Sequence, residues 1–369
     1  MENNELKKHL FVLILCGGGG KRLWPKSRIK TPKQFIKIFG EETIFQKTVA
    51  RAAKLVPFKQ IYVVTNFDYL DEVRSQAPQI PKENILAEPQ AKNTALAVGY
   101  GAVYIKNYDP EAVIINLPSD HFIKDVEKLN SALLAAAEAA VSGNYLVILG
   151  IKPQSPETGF GYIHAGDSWE TFPDRKIFKV KEFTEKPDLV KAQSFLSSGD
   201  YFWNAGIYVF RISNFLSGLK EHAPKTYQSL LRLEKAIEQD DKAKIKEIYF
   251  QSDDLSLDYA LAEKANNLLV VVGDFDWNDI GDWNRFWEIA EKDESGNVII
   301  KEKSNGDFVG LEVKNSLIYA SNRLIAVIGA ENLIIIDTAE ALLVCPKNKA
   351  EEVKKLVNGL KEQGKLKYL

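Results

Sequence analysis

The sequence predicts an α/β protein in two parts. The first is a Rossmann-like, mostly parallel mixed sheet flanked by helices; the second is a small C-terminal β-rich domain, expected to be β-helix-like. Three observations carry this. Over residues 1–290 short apolar runs alternate with stretches of helical spacing, the grammar of strand–helix–strand crossovers. After residue 291 the pattern changes to short strands separated by turn residues. A chain of 369 residues, 45% hydrophobic and 27% charged, has enough apolar material for two cores. The expected domains are therefore residues 1–290 and 291–369.

Taken in order, Leu10–Cys16 is a continuous apolar run ending in glycines, which reads as a buried parallel strand. Residues 41–56 have helical spacing through Ile44, Phe45, Thr48, Val49 and Ala52, and residues 61–65 form the next strand. Strands are expected at 84–87, 112–117 and 145–150, with helices at 94–108 and 126–141. Such alternation implies right-handed crossovers, and in such sheets ligands sit outside the carboxyl ends of the strands. Residues 152–162 are rich in Pro and Gly, 176–183 read as a strand, and helical segments dominate from 187 to 265. Further strands are expected at 297–301, 317–320, 324–328, 333–337 and 341–344, before a charged helix at 349–360. No clean repeat can be counted in this last region. It holds few candidate catalytic groups and is expected to stabilise an assembly.

Lys and Arg total 48 against 50 Asp and Glu, so no global basic field draws the chain to nucleic acid. Two cysteines and four histidines make neither a zinc-type spacing nor a disulfide scaffold. The longest apolar run, Leu10–Cys16, is far short of the ~20 residues that span a bilayer. It follows Lys7 and Lys8 like a signal peptide, but Leu15 stands where a small residue belongs. A cytoplasmic protein without membrane or nucleic-acid partners is expected.

The loop after the first strand, residues 15–35, is the most informative segment. Gly17 to Gly20 permit close backbone approach, so amides can converge on phosphate oxygens. The dinucleotide pattern G-x-G-x-x-G fails, because its last position is Arg22 or Leu23. Walker A fails too, since Lys21 is followed by Arg22 rather than Ser or Thr. What remains is Gly-Gly-x-Gly-x-Arg, then Pro32-Lys33, which bring two cations to a site lined with amides and suit a triphosphate.

This segment closely resembles the signature loop of sugar-1-phosphate nucleotidyltransferases, and Thr31-Pro32-Lys33-Gln34-Phe35 narrows the resemblance to mannose-1-phosphate guanylyltransferases. Cys16 and Lys26 depart from the alanine and leucine common there. Further segments match in order: Ala87-Glu88-Pro89 with Lys92-Asn93-Thr94, Leu117-Pro118-Ser119-Asp120-His121, residues 156–163, Phe183-Thr184-Glu185-Lys186-Pro187, Phe202-Trp203-Asn204-Ala205-Gly206, residues 256–260, and residues 277–283. Without the resemblance, Asn93 or Thr94 reads as a helix cap, Asp120 as a turn former, and Glu185-Lys186 as an exposed pair before a helix-starting proline.

The resemblance implies a nucleotidyltransferase fold and a reaction of GTP with mannose 1-phosphate, giving GDP-mannose and pyrophosphate. It implies Arg22, Lys33 and Asp120 as catalytic residues. Leu15, Gly17, Gly18 and Gly20 are the implied phosphate loop, and Glu88, Lys92, Asn93 and Thr94 the guanine and ribose pocket. Gly161, Glu185, Lys186 and Asn204 are implied to meet the sugar. Mg²⁺ is the implied cofactor, held by Asp120 and Asp279, and a homodimer is expected. Alternatives are another sugar or base, or an inactive nucleotide-sugar-binding regulatory subunit of the same fold.

Overall fold

The computed structural model describes residues 3–18, 20–38, 40–169, 176–302 and 306–369. Gly19 of the four-glycine run lies outside the described residues. Contacts divide the chain into two compact units. The first is Met1–Gly17, Gln46–Ser119 and Ile123–Trp277; the second is Gly18–Phe45, Asp120–Phe122 and Asn278–Leu369.

The strands in chain order are β1 (Leu10–Cys16), β2 (Ile61–Asn66), β3 (Ile85–Glu88), β4 (Val113–Pro118), β5 (Phe122–Ile123), β6 (Leu146–Ile151), β7 (Tyr162–Ser168), β8 (Ile177–Thr184), β9 (Tyr201–Arg211), β10 (Leu268–Gly273) and β11 (Trp277–Asn278). Then follow β12 (Val298–Lys301), β13 (Asp307–Leu311), β14 (Leu317–Ala320), β15 (Leu324–Ile328), β16 (Leu333–Asp337) and β17 (Leu342–Pro346).

The first unit is built on a nine-stranded sheet ordered β3-β2-β1-β4-β9-β6-β10-β8-β7. β3, β2, β1 and β4 run parallel, as their unbroken apolar sequences require when both faces are buried. The expected helices are found at Asn93–Tyr108 and Val126–Val141. Several strands were not legible beforehand, among them β7, β9, β10 and β13. β9, eleven residues inside the stretch expected to be helical, enters antiparallel between β4 and β6 and makes the sheet mixed. β10 then pairs parallel with β6.

In the second unit, β12 pairs with β14 and β14 with β16, both in parallel, while β13 pairs with β15 in a separate parallel ladder. Odd and even strands stacking in separate ladders is the arrangement of a β-helix-like coil; β17 closes one ladder antiparallel. The helix Val353–Glu362 follows, later than the sequence suggested because a 3₁₀ turn, Lys347–Glu352, precedes it. The core of this unit joins Leu23, Trp24, Ile36 and Ile38 of the glycine-loop segment to Trp283, Phe286, Leu317, Ile334, Val353 and Val357. The signature loop and the C-terminal strands thus share one apolar core.

Candidate active site

The loop's shape follows from its glycines and its buried anchors. Gly20 adopts φ +51°, and a Cβ there would fall 2.4 Å from the Cβ of Lys33, so only glycine admits the close approach of the two segments. Ser27 Oγ donates to the Gly20 carbonyl at 2.6 Å. Trp24 is pinned at both ends: its indole N–H donates to the Tyr368 carbonyl at 2.7 Å, and its own carbonyl accepts from Trp283 Nε1 at 2.9 Å. Lys26, one of the two departures from the expected pattern, forms a 2.5 Å ion pair with Glu302 and lies over the Tyr319 ring.

Around this loop a cavity of about 390 Å³ is lined by Gly20, Lys21, Arg22, Lys33, Asp120, His121, Asp279, Gly281 and Lys354. Lys33, only 8% exposed, meets the Asp120 carboxylate at 2.8 Å and donates to the backbone carbonyl of Asp279. Burial pushes the Asp120 carboxyl up, but Lys33 and His121 outweigh it and hold the group below the usual carboxylate range. Asp120 is therefore ionised, the state a hard cation requires. Asp279 Oδ1 accepts from the Gly281 amide at 3.1 Å. Between them Ile280, fully buried, is held at φ +45°, a region costly for a β-branched residue. Its amide is secured by Asn278 Oδ1 at 2.7 Å, so the turn that presents Asp279 is over-determined. Asp282 does not join the cavity; it is a buried N-cap, accepting from the Asn284 and Arg285 amides.

The first unit gathers the remaining residues in two groups. Glu88 ends β3, buried, with Oε1 lacking a hydrogen-bond partner among the described residues. Burial raises its carboxyl to about 8, and the nearby Tyr249 hydroxyl pulls it part of the way back without a hydrogen bond of ordinary geometry. Asn93 sits at φ +62° with its Oδ1 on the Thr94 amide, and Thr94 Oγ1 accepts from the Leu257 amide at 2.8 Å. Lys92 is half-buried and reaches the Phe250 carbonyl at 3.4 Å.

In the second group, a Cβ on Gly161 would fall 2.7 Å from Glu185 Oε2, which explains the glycine. Glu185, almost fully buried, pairs with Lys186. Burial lowers the Lys186 ammonium, but Glu185 and Asp258 outweigh it and keep it charged. Asn204 donates to Asp258 Oδ1 at 2.9 Å, as does the Tyr208 hydroxyl at 2.6 Å. Asp258, which carries no assigned role in the sequence, thus orients Asn204. Leu15 and Gly17 lie at and just past the end of β1, and Gly18 has φ +102°.

A family model described as nucleotidyl transferase matches residues 11–296. This chain belongs to that family. A second model, the MannoseP isomerase/GMP-like beta-helix domain, matches residues 306–360 of this nucleotidyltransferase. It is 38% identical over 360 residues to the alginate biosynthesis protein AlgA of Pseudomonas putida, covering 96% of this chain and 72% of that one. It is 34% identical to the mannose-1-phosphate guanylyltransferase of Escherichia coli, covering 96% and 74%. A solved structure described as a mannose-1-phosphate geranyltransferase from Thermus thermophilus superposes with a TM-score of 0.85 at 30% identity, covering 96% and 99%.

Lys21, Lys354, Tyr249 and Asp258, to which the sequence assigned no role, are brought beside the expected site residues by the fold. Lys354 enters the cavity from a helix whose link to the loop is non-local: Lys21 and Asn358, 337 positions apart, are hydrogen-bonded. Tyr249 and Asp258 lie on elements whose neighbours only the fold decides.

Proposed function

We infer that the chain transfers GMP from GTP to α-D-mannose 1-phosphate, giving GDP-mannose and pyrophosphate. The kinship with mannose-1-phosphate guanylyltransferases supports this, and the cavity carries it: Lys21, Arg22, Lys33 and Lys354 stand against only two carboxylates, Asp120 and Asp279. Four cations to two anions is a lining suited to a triphosphate. A phosphate oxygen of the sugar phosphate bonds to the α-phosphorus of GTP as the α–β anhydride bond breaks, and pyrophosphate departs with that bond's electron pair. The nucleophile is already an anion, so no side chain need surrender or accept a proton.

Arg22 and Lys33 neutralise the phosphates and hold them for in-line attack. Glu88, buried at the end of β3, offers a carboxyl oxygen to the exocyclic amine of guanine, which adenine lacks at that position. Lys92, Asn93 and Thr94 border that pocket, and Gly18 and Gly20 bring amides to the phosphates. Glu185 and Asn204 bind sugar hydroxyls, while Lys186 binds the sugar phosphate.

A divalent metal accompanies this chemistry, and Mg²⁺ is the proposed ion. The donor set fits. Asp120 and Asp279 are hard oxygen donors on one cavity, and Mg²⁺ takes one or two carboxylates with phosphate oxygens and water. Among the described residues no cluster of three His, Cys, Asp or Glu could hold a metal alone. When bound, the ion stabilises charge on the departing pyrophosphate.

The same reading keeps residues 1–290 as the catalytic domain and takes the protein as a cytoplasmic homodimer. No described helix is long and apolar enough to cross a membrane. Pyrophosphate release by the purified chain, measured for each NTP against several sugar 1-phosphates with Mg²⁺, tests the function. Preference for GTP with mannose 1-phosphate is expected. Equal turnover of ATP and GTP would remove the assignment of guanine, and no turnover with any pair would favour a regulatory subunit.

A further inference from the structure

The C-terminal helix Val353–Glu362 presents two faces to the glycine-loop segment. Val353 and Val357 are buried in the core that also contains Leu23 and Trp24, so the helix is anchored against the loop. Beside it, Glu351 of the preceding 3₁₀ turn and Lys354 and Asn358 of the helix follow one another at spacings of three and four residues. The outer two engage the loop directly: Glu351 Oε1 lies 3.8 Å from Arg22 Nη1, and Asn358 Oδ1 accepts from Lys21 Nζ at 3.2 Å. Lys354, between them, lines the cavity with Arg22 and Lys33.

The cavity's other strong cations have partners. Lys33 is paired with Asp120, and Arg22 faces Glu351. Among the described residues Lys354 makes no hydrogen bond or ion pair of its own. The carboxylate three positions before it, Glu351, faces Arg22 instead, and the residues three and four positions on, Val357 and Asn358, carry no charge. The helix brings an ammonium without an ion pair among the described residues to the cavity.

We propose that Lys354 is a substrate-binding residue for the pyrophosphate portion of the nucleotide, the β- and γ-phosphates that leave as pyrophosphate. The proposal rests on the functional reading above, which assigns the sugar phosphate its own cation, Lys186. It makes the C-terminal domain a contributor to the active site, a role beyond the assembly-stabilising one expected of this region.

The test uses the full chain with Lys354→Ala, Lys354→Gln and Lys354→Arg. Forward kinetics give KM for GTP and for mannose 1-phosphate, and reversed kinetics give KM for pyrophosphate. Loss of one charge-assisted contact is expected to raise the GTP and pyrophosphate constants about tenfold in the Ala and Gln variants. The mannose 1-phosphate constant should move less than about twofold, and Arg should restore most of the loss. Melting temperatures should be unchanged, because the side chain is exposed.

Calorimetric titration of wild type and Lys354→Ala with inorganic pyrophosphate and Mg²⁺ needs no turnover, so it separates this proposal from the functional reading. Weaker pyrophosphate binding by the variant upholds the role of Lys354 even if mannose 1-phosphate proves the wrong acceptor. Equal binding by the two proteins, or equal GTP and pyrophosphate constants in the variants, overturns it.

Discussion

Asp120 and Asp279 line one cavity, yet their side chains do different work in the free protein. Among the described residues the Asp279 carboxylate accepts one local hydrogen bond, from the Gly281 amide, that an amide oxygen can replace. Asp279→Asn should therefore leave the melting temperature within a degree or two. It should lower turnover on the order of a thousandfold, the scale of a lost metal contact. Asp120 also neutralises Lys33, whose ammonium is almost buried. Asp120→Asn should be as inactive and destabilised besides, by roughly 1–3 kcal/mol, the partial exposure of Asp120 keeping the cost below that of a fully buried pair. Turnover against Mg²⁺ concentration, with calorimetric melting, checks both variants. Near-normal turnover of Asp279→Asn would remove that residue from the metal site, and Asp282, committed to capping a helix, would not replace it. Glu88 gives a pH signature. As an acid whose folded value, about 8, exceeds its free value of 4.5, it contributes stability that is full below 4.5 and lost as pH rises towards 8. The slope is at most about 1.4 kcal/mol per pH unit. Urea unfolding of the unliganded protein between pH 5 and 8 should show the decline, and Glu88→Gln should flatten it. These residue types and spacings were readable in the sequence; the pairing of Lys33 with Asp120 and the burial of Glu88 were not, because both depend on distant segments meeting.

Among the elements, the glycine loop depends on a small set of close approaches. Gly20→Ala places a methyl against Lys33 Cβ and also burdens a left-handed backbone. Neither segment can yield easily, since Lys33 is tied to Asp120 and Gly20 to Ser27. The expected result is a folded protein with turnover reduced at least a hundredfold, the loss lying in kcat as Lys33 shifts from its position. Circular dichroism with steady-state kinetics checks this; normal turnover would mean the approach of the two segments is not needed. Periodicity located the helices and the parallel strands of the first half well. It failed at β9, where Asn204 and Gly206 interrupt the alternation and the neighbouring helical stretches dominate the local pattern. β9 is a strand because β4 and β6 flank it in space.

For the molecule as a whole, the second unit makes removal of residues 291–369 more drastic than the loss of an accessory domain. Truncation would strip Leu317, Ile334, Val353 and Val357 from the core beneath Leu23, Trp24, Ile36 and Ile38. The shortened chain is expected to lose activity entirely and to melt at lower temperature than the intact protein; a fully active truncation would contradict this. Outward-facing Val309, Leu311, Leu324 and Ile328 on the β13–β15 ladder form an exposed apolar face, and a second copy of this chain is the proposed cover. Sedimentation should give a dimer for wild type and a monomer for Ile328→Lys, with turnover retained; a wild-type monomer would rule the dimer out. The sequence by itself determined the class of fold, the strand-end positions of the motifs and the glycine- and cation-rich character of the loop, because periodicity, glycine and charge act over a few residues. Only the tertiary structure decided that β9 enters the sheet, that the loop is built on the C-terminal core and that Lys354 reaches the cavity. Those outcomes rest on contacts between segments hundreds of positions apart, which are selected by the burial of shared apolar surface and leave no local periodic mark.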